Sequence, residues 1–378
     1  MTGVSNLEEA DITPRVSVVM AVYNGRDYLR LAIESVVSQS FESLEFIIVD
    51  DCSTDDTPQI IRSFGDLRIV YTRNAENIGQ TASLNVGLGR ARGELIARID
   101  ADDVWHPEKL EKQCQFMADH PEVTVCGTWA DRIGRSGEVI GTFLPPTDLL
   151  EIRYRILWAS PVCHVSVVMR RAAILECGGY LPQYRFAADY ALWSQLLREG
   201  HAIVNLPLKL TQFREMPETF GTAYKVGPAG DESAEIIQFN AAAIANLSLD
   251  HQQCRNIALM LFPAADLSGE AVCEASVNLG LLAEDAYGSP PLRIRLELLG
   301  MLFWSLFKRA ALARKKSGFG SYREESLEVL RAFRGRPAAL IVAGGALMLA
   351  VVGLGSGMKM KAWVTACVFR VRTLSRRA

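Results

Sequence analysis

Glu94-Leu95-Ile96-Ala97-Arg98-Ile99-Asp100-Ala101-Asp102-Asp103 is the stretch that decides the fold. Glu94 to Ile99 reads as a buried strand, and it runs out into three carboxylates before His106-Pro107 opens a helix rich in Glu and Lys. Acids at the carboxyl end of a strand in an α/β sheet lie where such folds bind ligands. Three so close together repel one another unless a cation neutralises them. Hard oxygen ligands of this kind suit Mn²⁺ or Mg²⁺, which commonly bridge to substrate phosphates. The bland alternative is an acidic turn with a helix cap.

Working outward, the first half of the chain alternates strand and helix patterns. Val16 to Val22 is a β-branched run that stops at the turn signal Tyr23-Asn24-Gly25, and Tyr28 to Ser38 shows helical spacing. Glu45 to Val49 is a second buried strand, stopped by Asp50-Asp51. Thr57 to Phe64 is expected to be helical, Arg68 to Tyr71 a third strand, and Gln80 to Arg92 a helix. Strands spaced by helices predict right-handed βαβ units and a mostly parallel sheet covered on both faces. Farther on, Val123 to Cys126 and Val165 to Met169 read as strands and Asp189 to Glu199 as an amphipathic helix. Residues 216–230 read as a loop, and 232–290 as Ala-rich and helical.

Composition sets bounds on function. The chain has 378 residues and a net charge of −3, but the charge is unevenly placed. Residues 292–378 hold 17 Lys and Arg against four Asp and Glu, a net of +13 that leaves −16 for the remainder. A basic, apolar C-terminal region fits an anionic membrane surface, and the aromatic-interleaved basic motifs of nucleic-acid binders are not evident. Leu298 to Phe307 has the length of an interfacial helix. Residues 337–358 carry no charge and are flanked by Arg334 and Arg336 on one side and Lys359 and Lys361 on the other. They form a candidate transmembrane segment, with a glycine-rich buried or re-entrant helix as the alternative. The eight cysteines are scattered without zinc spacing, and the polar, acidic N-terminus does not have the pattern of a signal peptide.

Two further constellations are ambiguous in isolation. A carboxylate of Asp50-Asp51 at a strand end can accept from a base N–H or ribose hydroxyls, while Ser53 or Asp55 equally suits a helix cap. Asn77-Ile78-Gly79-Gln80 precedes a helix whose N-terminus could face an anion, or is a plain turn.

Together these pieces resemble one family. Val18-Val19-Met20-Ala21-Val22-Tyr23-Asn24, Val49-Asp50-Asp51-Cys52-Ser53-Thr54-Asp55, Asn77-Ile78-Gly79 with Asn85, and Ala97 to Asp103 follow the order and spacing of family-two glycosyltransferases. The resemblance covers roughly residues 15–215 and implies the α/β GT-A fold of inverting enzymes that use nucleotide sugars. It makes 1–14 a tail, 15–215 the GT-A domain, 216–291 a loop and helical extension, and 292–378 a membrane-associating region.

The resemblance also implies roles. Ala21 and Tyr23 would line the base pocket, and Asp50 and Asp51 form the base-recognising pair. Asp100 and Asp102 match the DxD acids, Asp100 toward the ribose and Asp102 toward a Mn²⁺ or Mg²⁺ held by the diphosphate. Arg98 would position phosphates or make a plain salt bridge. The family's Glu-Asp pair appears as Ala188-Asp189, which keeps the Asp as catalytic base and lacks the Glu. His164 falls on the acceptor side, and Gly178-Gly179-Tyr180 matches the turn before the base. Arg214 matches a diphosphate-binding arginine, with Met216 where a histidine often follows.

What is expected, then, is metal-dependent transfer from a nucleotide-diphosphate sugar, a UDP-sugar above all, to a lipid-linked saccharide or glycan. The setting would be bacterial surface-polysaccharide assembly at the cytoplasmic face of the inner membrane, with inner-membrane lipids as a partner and no nucleic acid. The competing expectation is a non-catalytic nucleotide-sugar-binding subunit of a membrane complex. A Rossmann dehydrogenase is disfavoured because no GxGxxG follows the first strand.

Overall fold

The computed structural model describes residues 13–215 and 227–260, with isolated helical positions between 271 and 287. Met216, residues 298–307 and the candidate span 337–358 lie outside the described residues, as does the whole basic region 292–378. Among the described residues no helix is long and apolar enough to cross a membrane.

Strands β1 (Val16–Val22), β2 (Leu44–Asp50), β3 (Ile69–Arg73) and β4 (Leu95–Arg98) pair in parallel in the order β3-β2-β1-β4. Helices α1 (Leu29–Val37), α2 (Thr57–Arg62) and α3 (Gln80–Arg90) connect them. Every residue of β1 and β2 is buried, as parallel strands covered on both faces require. Val18, Met20 and Val22 point into a core with α1 and with α4 (Lys109–Asp119). Val19 and Ala21 point the other way, toward α3 and α7 (Ala188–Arg198).

The second half makes the sheet mixed rather than mostly parallel. β5 (Val104–Trp105), β6 (Val123–Ile133), β7 (Val139–Phe143), β8 (Val168–Arg170) and β9 (Ala202–Arg214) extend it, in the order β4-β8-β6-β9-β5, with β7 paired to β6. β8 runs antiparallel to both β4 and β6, while β6 and β9 run parallel. Helices α5 (Leu149–Arg155) and α6 (Arg171–Glu176) lie between these strands. The strand expected over Val165–Met169 is half turn: His164–Ser166 is a 3-10 helix and only Val168 begins β8. Ser166 Oγ donates to the Cys163 carbonyl at 2.8 Å, a local bond that competes with the ladder. β6 also runs on to Ile133, well past Cys126.

Beyond the domain the described residues include α8 (Pro228–Ala245) and α9 (His251–Met260). Ala234, Ile236, Ile237 and Ala241 of α8 share a core with Tyr190, Trp193 and Leu196 of α7.

Candidate active site

Register brings the loops after β1, β2 and β4 to one edge of the sheet, since Val22 lies opposite Asp50 and Val19 opposite Arg98. The first two loops are stitched together. Asn24, in the left-handed region at φ 53°, donates its N–H to Ser53 Oγ at 2.9 Å, and its side-chain oxygen accepts from Thr54 N–H at 2.8 Å. Ser53 therefore serves the neighbouring loop rather than a helix cap, while Asp55 accepts from Thr57 N–H at 3.0 Å. Ala21 is buried in the strand below, and the Tyr23 ring stands 51% exposed at its end.

The Asp50-Asp51 pair is tied into the fold. Asp50 is fully buried, accepts from Ser53 N–H at 2.8 Å and Tyr71 Oη at 2.9 Å, and pairs with Arg73 at 3.4 Å. Asp51 Oδ1 accepts from Asn74 Nδ2 at 2.8 Å and Ile78 N–H at 2.9 Å. Its Oδ2 takes one donor among the described residues, Gly79 N–H at 2.8 Å. The anion at the start of α3 is thus a carboxylate of the protein itself. Two oxygens offer about four acceptor positions, so Asp51 keeps one open at Oδ2.

The acids after β4 divide into different tasks. Asp103, 3% exposed, accepts from the backbone N–H of Arg214 at 2.8 Å. Asp100 Oδ1 accepts from Gln80 Nε2 at 3.0 Å and pairs with Arg98. The Asp102 carboxylate accepts no hydrogen bond from another residue among the described residues, which leaves its oxygens for a ligand; only its backbone carbonyl is taken, by Arg214 Nε. Ligand atoms of the three carboxylates lie within 4.8 Å of one another. Burial first, and the Asp100 charge second, push the Asp102 carboxyl up to about 6. Burial, then the charges of Asp102 and Asp100, raise the Asp103 carboxyl well above its ordinary value. Hard oxygen donors at Asp102 and Asp103, whose charge is penalised first by burial and then by the neighbouring acids, fit a divalent cation, which would offset that penalty.

Arg98, 3% exposed, sits among these groups, and its Nε has no hydrogen-bond partner among the described residues. Burial works against its charge, and Asp100, Tyr180, Asp103 and Asp189 together outweigh that and hold it protonated. Arg214 does not present a free fork. Its Nε donates to the Asp102 carbonyl at 3.0 Å, its Nη1 to the carbonyls of Gly134 at 2.5 Å and Arg135 at 3.2 Å, and its guanidinium lies 4.1 Å from the Tyr28 ring centroid.

Asp189 stands in the first turn of α7, with Ser160 Oγ donating to its Oδ2 at 3.1 Å. Burial raises its pKa, partly offset by hydrogen bonds from Tyr190 N–H and Ser160 and by the charge of Arg98. His164 Nε2 is 2.7 Å from Tyr180 Oη, and its ring meets Trp193 edge-on at 6.0 Å. Burial, and then Arg98, hold this imidazole neutral. The segment leading to Asp189 is anchored on α3: Asn85 donates to the Tyr180 carbonyl at 2.7 Å and accepts from Tyr180 N–H at 2.9 Å. Gly178 and Gly179 adopt φ of 82° and 74°, which the Gly-Gly-Tyr turn needs.

Several of these residues carry little signal of their task in the sequence. Gln80 follows Asn77-Ile78-Gly79 directly, and Asp103 stands beside Asp102 with nothing local to set its role apart. Ser160, Tyr28 and Tyr180's bond to His164 carry no local signal, because each pair is joined only by tertiary packing.

A parallel β3-β2-β1-β4 half-sheet, with acids at its carboxyl edge and a further carboxylate on a helix beyond it, defines a protein of the GT-A fold. Similarity to known proteins agrees. The crystal structure of Staphylococcus aureus TarS 1–349 in complex with UDP-GlcNAc shares the fold with a TM-score of 0.52 at 19% identity, over 83% of this chain and 89% of that one. EpsE of Bacillus subtilis (strain 168) is 35% identical over 215 residues, 55% of this chain and 75% of EpsE. WfaP of Escherichia coli, a UDP-Glc:alpha-D-GlcNAc-diphosphoundecaprenol beta-1,3-glucosyltransferase, is 32% identical over 201 residues, 53% of this chain and 76% of WfaP. The family profile "Glycosyl transferase family 2" matches residues 17–179. This chain belongs to glycosyl transferase family 2.

Proposed function

We propose that this glycosyltransferase moves a sugar from a nucleotide-diphosphate donor, a UDP-sugar, with inversion, to a lipid-linked saccharide or glycan in bacterial surface-polysaccharide assembly. The observation that carries this reading is the Asp102 carboxylate, without a donor from another residue among the described residues, in a cluster of acids that shares Arg98 electrostatically with Asp189. In this reading the donor base stacks at Tyr23 over Ala21 and bonds Asp51 Oδ2, while Asp50 holds the loop. Asp100 receives the ribose. Asp102 with Asp100 would hold Mn²⁺ or Mg²⁺, whose chemistry there is neutralisation of the departing diphosphate. Arg98 and Arg214 add fixed positive charge around the acid loop.

Asp189 takes the proton of the acceptor hydroxyl as that oxygen attacks the anomeric carbon from the face opposite the leaving group, which inverts the centre. Ser160, donating to Oδ2, helps hold this carboxylate in place. Neutral His164 shapes the acceptor side without adding charge. WfaP's acceptor is a diphosphoundecaprenol-linked sugar. The basic region 292–378 would keep the site at the cytoplasmic face of the inner membrane, by attraction to its anionic lipids.

The test is release of nucleoside diphosphate from a panel of nucleotide sugars, with Mn²⁺, Mg²⁺ or chelator, by membranes holding the wild type or Asp189→Asn. Metal-dependent release that the variant loses is the expected outcome. Donor binding without release under every acceptor condition would favour a binding subunit instead.

A further inference from the structure

Helix α7, which carries Asp189, begins without a side-chain cap of its own: its N-cap is Ala187. Helix N-termini hold unpaired N–H groups and favour a nearby anion. Here the anion comes from 45 residues farther along the chain. Glu232 of α8 accepts from Arg185 N–H at 3.0 Å through Oε1, and from Phe186 and Ala187 N–H at 2.8 Å each through Oε2. One carboxylate thus gathers three consecutive backbone donors just ahead of Asp189.

The two helices run side by side in the same sense, because a second polar contact lies two turns along both. Asn240 Oδ1 accepts from Ser194 Oγ, and from Arg198 Nη1 at 3.0 Å, while its Nδ2 donates to the Ile156 carbonyl at 2.9 Å. Parallel neighbours place two positive helix ends together, and a carboxylate between them offsets that repulsion. On its other flank the lead-in is held by α3, through Asn85 at Tyr180 and through Thr81 Oγ1, which donates to the Tyr184 carbonyl at 2.9 Å. The lead-in to Asp189 is therefore clamped between the donor-side helix α3 and the extension helix α8.

We propose that Glu232 is a positioning residue for Asp189, which makes the extension part of the catalytic unit; this rests on the reading of Asp189 as the base. Its carboxylate fixes the backbone two to four residues before Asp189, and hence the direction of the Asp189 side chain. Misplacing a reacting group by a fraction of an ångström to an ångström lowers turnover without touching donor contacts.

The full chain in membranes is assayed as wild type, Glu232→Ala, Glu232→Gln, Asp189→Asn and the Glu232→Ala/Asp189→Asn double variant. Readouts are kcat with the best nucleotide sugar of the panel, affinity for UDP, and Tm. Glu232→Ala is expected to lower kcat about tenfold with UDP affinity unchanged. Glu232→Gln, with one acceptor oxygen for three donors, falls between, and decides the matter if the Ala variant does not fold. In the Asp189→Asn background Glu232→Ala is expected to add no further loss. A lower Tm with unchanged kcat per folded molecule overturns the proposal, as does an undiminished tenfold loss without Asp189. If Asp189→Asn keeps wild-type kcat, the base assignment itself fails. If Asp189→Asn is inactive and the Glu232 variants are normal, only the positioning role falls.

Discussion

The backbone N–H of Arg214 donates to the Asp103 carboxylate at 2.8 Å, joining residues 111 apart in sequence. This bond ties the last residue of β9 to the acid loop, and the Arg214 side chain returns to the Asp102 carbonyl from the same side. The acid cluster is therefore held from behind by the end of the domain.

Asp103→Asn and Asp103→Ala separate charge from hydrogen bonding at that joint. Asn keeps an acceptor for Arg214 N–H and removes one of three repelling charges, so its Tm without metal is expected to equal or exceed that of the wild type. Ala leaves a buried N–H orphaned and is expected to destabilise by about 1–3 kcal/mol. Thermal melts in chelator at pH 7.5 make the comparison.

Asp102 has a carboxyl raised to about 6 from an ordinary value near 4. For a raised acid the folded state binds more protons than the unfolded one, so metal-free stability falls as pH rises through this window and stays low above it. At neutral pH the effect is at most about 3 kcal/mol. Asp102→Asn is expected to raise the chelated Tm at pH 7.5, to change it little at pH 4, and to abolish the added stability that Mn²⁺ gives the wild type. An unchanged Mn²⁺ effect on the variant would refute the metal assignment.

Ser160 donates to Asp189 Oδ2, which favours the charged form. Asp189→Asn is expected to cut kcat by about 10²–10⁴ while donor affinity holds. Ser160→Ala removes a bond that lowers the Asp189 pKa, so the acid limb of the kcat–pH profile should move to higher pH. A limb that stays put or moves down contradicts the role of Ser160.

Gly179 combines a φ of 74° with a tight neighbour, since a Cβ there would lie 2.8 Å from Asn85 Oδ1. Gly179→Ala is expected to cost about 1–2 kcal/mol in backbone strain alone. It should cost more where Asn85 is pushed off Tyr180. Urea unfolding of Gly179→Ala, Asn85→Ala and the double variant would show the two losses to be less than additive.

Lys109 is fully buried, with Nζ 3.9 Å from the Trp105 ring centroid and no hydrogen-bond partner among the described residues. Burial lowers its pKa to about 7. For a lowered lysine the unfolded state binds more protons between about pH 7 and 10, so stability rises with pH across that range. Lys109→Met should melt higher than the wild type at pH 7, and the gap should narrow by pH 9.5. A variant that melts lower at pH 7 would show that the cation–π contact outweighs desolvation.

The parallel half of the fold was legible because it is written locally. β-branched runs, each closed by a polar turn and followed by a helical pattern, can only stack as covered parallel strands. The second half was less so. Val165–Met169 has the composition of a strand, yet Ser166 bonds to Cys163 and turns it. The antiparallel β8 between two parallel sets is a matter of topology that no short segment encodes.

The sequence by itself determined the chemistry at hand: three acids after an apolar strand, an acidic pair after another, and a carboxylate at the head of an amphipathic helix. Residue type and spacing suffice for that, because strand ends and helix starts place side chains predictably. Tertiary structure alone decided which carboxylates are spent on the protein and which remain. Asp50 and Asp103 are consumed by donors from Tyr71, Arg73 and Arg214, while among the described residues the Asp102 carboxylate takes no donor from another residue. It also decided that Glu232, in a helix without motifs, heads the helix of Asp189. A hydrogen bond spans about 3 Å whatever the number of residues between its partners, and only folding sets which partners meet.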